Sequence, residues 1–241
     1  MATYALTALV LKKTKLGETD LILTLLGSDG AQYRGVAKGA RKPGSKFGGR
    51  GEPGTVFQAL MARGKSLDVI TDAKTIQSHR ALREEYDATL ALSVILDFAA
   101  VVSQESLAEE RFYELTAATL DALEQVVKSD KETSLQSELN EGVGCDRGKS
   151  ELLKLVLTAY LLKASAMQGY RPDFDEEVFE DTEDILMRYV AYLLGITYAE
   201  LLEADVTTFP KTDDLFRTVR HFVVTNIPAR LKALDYYSRG E

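Results

Sequence analysis

The residues with the most evident chemistry stand between Arg34 and Arg50. The stretch Arg34-Gly-Val-Ala-Lys-Gly-Ala-Arg-Lys-Pro-Gly-Ser-Lys-Phe-Gly-Gly-Arg50 presents six cations, Arg34, Lys38, Arg41, Lys42, Lys46 and Arg50, and no acid falls between Asp29 and Glu52. Seven glycines lie from Gly35 to Gly54, so the backbone turns easily and approaches a ligand closely. Cations on a glycine-rich loop suit a polyanion whose backbone is tracked, rather than a small ligand gripped in a fixed cup. Arg63 and Lys65, in the turn Arg63-Gly-Lys-Ser66, extend that surface. Two aromatic residues, Tyr33 and Phe47, lie among the cations. Phe47, flanked by Lys46 and Gly48, is the better platform for stacking a base, whereas Tyr33 is equally suited to a core. The plainer reading is a solvated hairpin loop; six cations without a balancing acid argue against it.

Other chemistries are poorly served. Gly39-Ala-Arg-Lys-Pro-Gly-Ser-Lys46 looks like a phosphate loop, but Ser45 precedes Lys46, and Gly48, Gly49, Gly51, Pro53 and Gly54 block the helix that should follow. The chain has two histidines, His79 and His221, and one cysteine, Cys145, too few for a Cys/His zinc cluster. His221, beside Phe222, reads as a packing residue. Eight acids crowd residues 173–184 without the Asp/Gly spacing of a calcium loop, which fits a solvated loop. No Ser/His/Asp set stands out. The expectation is therefore a protein without catalytic residues, metal or cofactor.

The elements that must position the basic stretch follow from charge and period. The 241 residues carry a net charge of −8, which by itself argues against a nucleic-acid partner. Its distribution reverses that inference. Residues 1–80 hold 13 Lys/Arg against 6 Asp/Glu, and residues 81–241 hold 16 against 31. A basic N-terminal third joined to an acidic remainder predicts two domains, 1–80 and 81–241, with different tasks. No apolar run reaches the ~18–20 residues of a membrane span, no signal peptide is evident, and a single cysteine is typical of a reducing compartment. The expected setting is cytoplasmic.

Short runs of strand-forming residues occur at 3–12, 21–26, 32–38, 54–63 and 67–76, separated by turn signals such as Gly27-Ser-Asp-Gly30. Lys13 to Asp20 reads as a connection. Five short strands in about 80 residues predict a small barrel, an OB-fold or an SH3-like one. After His79 the period changes. Tyr86, Leu90, Val94, Phe98 and Val101 share one helix face; Phe112, Leu115, Thr119, Leu123 and Val126 share another. Residues 128–149 read as a loop or disordered linker. Residues 151–168 are apolar all round, which marks a central bundle helix. Further helices are expected at about 184–194, 198–203, 213–225 and 228–237, with Thr212 as a cap and Pro228 in a first turn. The fold class is α+β, an all-β N-terminal barrel followed by an all-α helical domain.

Three separated segments carry a family resemblance: Gly17-Glu-Thr-Asp-Leu-Ile-Leu-Thr24, the run from Gly35 to Gly54, and Ala62-Arg-Gly-Lys-Ser-Leu-Asp-Val-Ile-Thr71. In this order they resemble the N-terminal part of the bacterial DNA repair protein RecO family, closely over the first 80 residues and loosely beyond. Met167-Gln-Gly-Tyr-Arg-Pro-Asp173 is similar to that family's Gly-Tyr-x-Pro turn. The resemblance implies an N-terminal OB-fold and a helical C-terminal domain. It also implies binding of single- and double-stranded DNA, annealing of complementary strands, nucleoid association, and work with RecR to load recombinase onto DNA coated by single-strand-binding protein. One departure stands out. Many members carry a four-cysteine zinc site after this turn, and Phe174-Asp-Glu-Glu-Val-Phe-Glu-Asp-Thr182 has no cysteine, so metal binding is not carried over.

The sequence thus reads as a non-enzymatic DNA-binding recombination mediator. Arg34, Lys38, Arg41, Lys42, Lys46, Phe47, Arg50, Arg63 and Lys65 are the candidate DNA-binding residues. Within the acidic domain, Lys154, Lys163, Arg217 and Arg220 are candidate cations for the acidic, apolar tail of single-strand-binding protein. Two rivals remain open at this point: an OB-fold RNA-binding protein, and an interaction adaptor whose basic loop meets an acidic protein.

Overall fold

A computed structural model describes residues 2–45, 47, 49–105, 107–137, 146–172, 182–205, 209 and 212–237. Five strands come first: β1 (Thr3–Leu16), β2 (Asp20–Gly27), β3 (Gln32–Ala37), β4 (Val56–Ala62) and β5 (Asp68–Gln77). They close into a barrel in the order β1-β2-β3-β5-β4. The first half of β1 pairs with β4, from Thr3↔Ala62 to Leu9↔Val56. Its second half pairs with β2, from Ala8↔Gly27 to Leu16↔Asp20. β3 and β5 run parallel, at Gly35↔Asp68 and Val36↔Val69. That order, with its parallel pair, is the OB arrangement and excludes the SH3-like alternative. Leu6, Ala8 and Val10 of β1, Leu23 and Leu25 of β2, Phe57, Ala59 and Met61 of β4 and Ile70 and Ala73 of β5 fill the interior, as the two-residue period of a strand requires.

The topology explains the length of the basic loop. β3 and β4 are consecutive in sequence but not neighbours in the barrel, because β5 lies between them. The connection must carry the chain past β5, which a two-residue hairpin turn cannot do. Residues 38–55 make that passage.

By compactness the chain falls into two units. The first is Met1–Arg80 with Leu96–Ala117, the second Ala81–Ile95 with Ala118–Glu241. In the first, Gln32 joins the barrel to the later segment. Its side-chain Nε2 donates to Ala100 O at 2.9 Å and its backbone N–H to Gln104 O at 3.0 Å. Gly30, at φ +82°, approaches the Glu109 backbone so closely that an added Cβ would lie 2.0 Å from its oxygen; any side chain there is excluded.

The helices are α1 (Tyr86–Val102), α2 (Glu110–Ser137), α3 (Asp146–Met167), α4 (Thr182–Gly195), α5 (Tyr198–Glu203), α6 (Thr212–Asn226) and α7 (Lys232–Tyr237). α3 packs against α4, α5 and α6 and buries Leu155, Val156, Leu157, Tyr160, Leu161 and Leu162, the central position its all-round apolarity predicts. Several boundaries differ from the sequence reading. α2 continues to Ser137 and α3 begins at Asp146, so part of 128–149 is helical; Lys128–Ser137 contains no Gly or Pro to stop a helix already nucleated upstream. Residues 138–145, Cys145 included, lie outside the described residues. Thr212 belongs to α6 and Pro228 precedes α7 by a full turn. α5 carries a capping box, in which the Thr197 side chain accepts from Glu200 N–H and the Glu200 carboxylate accepts from Thr197 N–H. On α1, Tyr86 is 65% exposed, while Ala88, Ala91, Leu92 and Ile95 are buried.

Candidate nucleic-acid interface

The described part of the basic loop is a succession of tied turns. At its start, Asp20 accepts the Gly39 N–H at 2.8 Å and the Thr19 hydroxyl at 2.8 Å. The Gly39 amide, then Thr19, hold the Asp20 carboxyl below its ordinary value, with Lys38 and Lys42 adding to the effect. Gly39 takes φ +65°, a conformation suited to glycine. Arg41 is anchored twice on the β1–β2 turn, its N–H donating to Thr19 O at 2.9 Å and its guanidinium to Gly17 O at 3.1 Å. Lys42 N–H donates to Gly39 O, Ser45 N–H to Lys42 O, and Arg50 N–H to Phe47 O. The backbone is thereby fixed, while the side chains of Lys38, Arg41 and Lys42 are exposed and Arg50 is half-buried.

Beneath this loop lies a pocket of about 320 Å³ with an apolar lining of Leu21, Leu23, Ala37, Ala40 and Phe47, and with Lys13, Lys15, Arg41 and Glu52 as its charged members. Lys13 and Lys15 arrive there through strand geometry. Two residues apart on β1, they share a face and pair across the ladder with Leu23 and Leu21. Lys13 meets Glu52 at 2.5 Å, both side chains 40% exposed, an exposed pair of little energetic weight. Sequence reasoning missed both lysines, because it ended the first strand at Lys12.

A second cationic cluster gathers at the β4–β5 turn. Arg63 sits 4.8 Å above the Tyr4 ring, and Tyr4 and Tyr33 lie 6.4 Å apart. The Tyr4 hydroxyl donates to Asp68 at 2.5 Å and the Tyr33 hydroxyl to Asp29 at 2.7 Å. Burial, then Asp68, pushes the Tyr4 phenol upward. The bond to Asp29, then burial, pushes Tyr33 up to about 12. Both rings are thus locked. Arg34 and Arg63 line a shallow groove there with Tyr4, Tyr33 and two acids, Asp68 and Glu105; Lys65 is exposed on the turn.

The structure therefore sorts the candidate residues into two groups. Arg41 and Phe47 share the first pocket, with Lys38, Lys42 and Arg50 on the same loop. Arg34 and Arg63 share the second groove. Lys46 lies outside the described residues. Phe47 packs on the barrel core, as Tyr33 does, so neither ring stands free of the barrel.

In the helical unit three of the four candidate cations are already engaged. Lys154 pairs with Asp213. Lys163 donates to Leu194 O at 2.9 Å and Ile196 O at 2.7 Å, closing the end of α4, and burial holds its amine below the ordinary lysine value. Arg217 pairs with Asp214 at 3.1 Å. Arg220 is half-buried. A strongly apolar pocket of about 250 Å³, lined by residues including Leu162, Pro172, Met187, Val190, Val219 and Phe222, opens among α3, α4 and α6. Among the described residues, no group of three His, Cys, Asp or Glu side chains is placed to hold a metal, and no helix is long and apolar enough to cross a membrane. The acid-rich run 173–181 lies outside the described residues.

Residues 1–79, the barrel with its loop, match the family model described as Recombination protein O N terminal. A DNA repair protein RecO of Synechococcus elongatus is 39% identical over 122 residues, covering 51% of this chain and 46% of that protein. One from Bifidobacterium adolescentis is 39% identical over 125 residues, 51% of each chain. In these alignments the chain spans about half the length of the relatives it matches. The RecO of Bifidobacterium longum DJO10A is 31% identical over 212 residues, 86% of this chain and 76% of that protein. The likeness thus runs from the barrel and its basic loop through the helical unit, and the chain belongs to the DNA repair protein RecO family.

Proposed function

We propose that this chain is a DNA-binding mediator of repair and homologous recombination. In this reading it holds single- and double-stranded DNA on its barrel, anneals complementary strands, and helps load recombinase onto DNA coated by single-strand-binding protein. The observation that carries this reading is the set of exposed cations, Lys13, Lys15, Lys38, Arg41 and Lys42, displayed on a turn-fixed loop and an adjacent strand of one OB-type barrel. Fixed backbone with exposed cations suits phosphate contact, which positions a strand without reading its bases. An annealer must screen the repulsion between two phosphate backbones and leave most base edges free to pair. Arg34, Arg50, Arg63 and Lys65 extend the same phosphate-contacting surface, and Lys46 belongs to it by sequence.

The acidic helical part is the protein-docking side of the proposal, for RecR and for the acidic, apolar tail of single-strand-binding protein. The apolar pocket among α3, α4 and α6 supports the apolar half of that contact. The pairing of Lys154 and Arg217 with Asp213 and Asp214 means that an acidic tail must displace these carboxylates. The proposed setting is the cytoplasm, on the nucleoid, and the mode of action is non-enzymatic.

A strand-annealing assay tests the proposal. Complementary oligonucleotides coated with single-strand-binding protein should anneal faster with the chain present, and DNA should compete for it at least as well as RNA of the same sequence. Annealing at the spontaneous rate, or exclusive competition by RNA, would overturn the reading.

A further inference from the structure

We infer that the pocket floored by Leu21 and Phe47 takes one unpaired nucleobase of a bound single strand, making the barrel a discriminator of single-stranded from duplex DNA. The inference rests on the DNA-binding reading above and deepens it. Phosphate contact alone needs a charged surface and no cavity. Here the cations border one. Lys13 and Lys15 project from the same face of β1, opposite Leu23 and Leu21, so the cationic rim and apolar floor follow from one strand register. The third cation, Arg41, is held at the pocket by two bonds to the β1–β2 turn. Glu52 opposes these charges but is paired with Lys13, which leaves Lys15 and Arg41 as the cations facing an incoming phosphate.

The lining is small where an occupant needs room. Ala37 and Ala40 contribute only methyl groups, and Gly49 and Gly51 contribute no side chain. The volume of about 320 Å³ falls at the lower end of small-ligand pockets. An apolar cavity with cations at its rim complements a nucleotide, whose base is flat and apolar on its faces and whose phosphate is anionic. Neither an apolar peptide nor a free phosphate uses both features. A base paired within a duplex cannot leave its stack without an unpairing cost of a few kcal/mol, so occupancy favours single strands. Only one base is withdrawn at each pocket, and its neighbours stay available for pairing.

The test compares two oligonucleotides of equal length, oligo-dT and a fully abasic strand with the same phosphates, on the intact chain. Oligo-dT should bind about five- to a hundredfold more tightly, the span expected for one base–aromatic contact, with equal salt slopes for the two strands. Ala40→Leu, which fills the pocket and keeps every cation, should bring oligo-dT down to the abasic affinity and leave the abasic strand unaffected. Lys15→Ala with Arg41→Ala should weaken both strands alike. Equal binding of the two strands by the parent chain, each with a normal salt slope, would overturn the base pocket and leave the phosphate reading standing. Binding of neither strand would overturn both.

Discussion

The barrel and the helical unit use charge in opposite ways. In residues 1–80, most acids are engaged by partners. Asp20 ties the basic loop, Asp29 and Asp68 lock two tyrosines, Asp72 accepts its neighbour's N–H, and Glu52 meets Lys13. Five of the six acids of that region are so engaged, and most of its cations are left on the surface. In the helical unit, several cations are tied. Lys154, Arg217 and Arg230 pair with Asp213, Asp214 and Asp235, Lys149 with Glu85, and Lys163 closes a helix end. The surplus there is acidic. In both regions much of the minority charge is engaged by partners, and the majority charge is in surplus. A net charge of −8 therefore says little about what either surface meets.

The largest test of this contrast lies in the core, where neither sign of charge is tolerated. Leu157 is fully buried in α3, so Leu157→Asp introduces an unpaired charge at a cost of several kcal/mol, comparable to the stability of a whole domain. Thermal melting by circular dichroism should show loss of most helical signal at ordinary temperature. A melt within a few degrees of the parent would remove α3 from the centre of its unit.

Next comes a comparison of two lysines. Lys163→Met keeps the aliphatic packing but leaves the Leu194 and Ile196 carbonyls without their donor, which should cost about 1–3 kcal/mol. Lys15→Ala, on an exposed strand face, should stay within about 0.5 kcal/mol. Urea unfolding of the two variants side by side measures the difference, and equal losses would erase the distinction between a structural and a displayed cation.

The smallest expected effect is a titration. Because Asp20's folded value is depressed, its contribution is present above the ordinary carboxylate value and is lost as pH falls through the depressed one. The Gly39 amide resonance should report this, shifting in acid at a midpoint below that of a free aspartate. In Asp20→Asn the acid shift should vanish. A Gly39 amide that titrates at the ordinary carboxylate value would show that the tie is weak.

Much of the barrel was legible because its strands alternate and its turns carry Gly and Asp. Pairing order was not, since the partner of β5 is set by contacts distant in sequence; only the parallel β3–β5 pair separates the OB arrangement from an SH3-like one. Lys13 and Lys15 escaped for a related reason. Residues 12–16 are all exposed, so they show no buried alternation, yet their backbone continues the ladder with β2. The cations of the basic loop were visible by composition. Their sorting into two clusters was not, nor was the packing of Phe47 onto the barrel, because both depend on where the loop folds back. In the helical part, the period marked α3 and most of α2. The tail of α2 carries no apolar stripe in its sequence, and it continues a helix nucleated upstream.

In the proposed function, the displayed cations of the barrel, and not those of the helical unit, hold DNA by its phosphates. Salt dependence measures it most directly. Binding of single-stranded DNA should weaken with salt at a log–log slope of about −0.7 for each phosphate engaged. Two triple variants remove the same number of charges: Lys15, Arg41 and Lys42 to Ala on the barrel, and Arg188, Arg217 and Lys232 to Ala on the helical unit, all six exposed. The barrel variant should flatten the slope by up to about 2 units, on any base sequence, and the helical variant should leave it unchanged. Equal slopes for the two variants, or a slope lost only with the helical cations, would contradict the account.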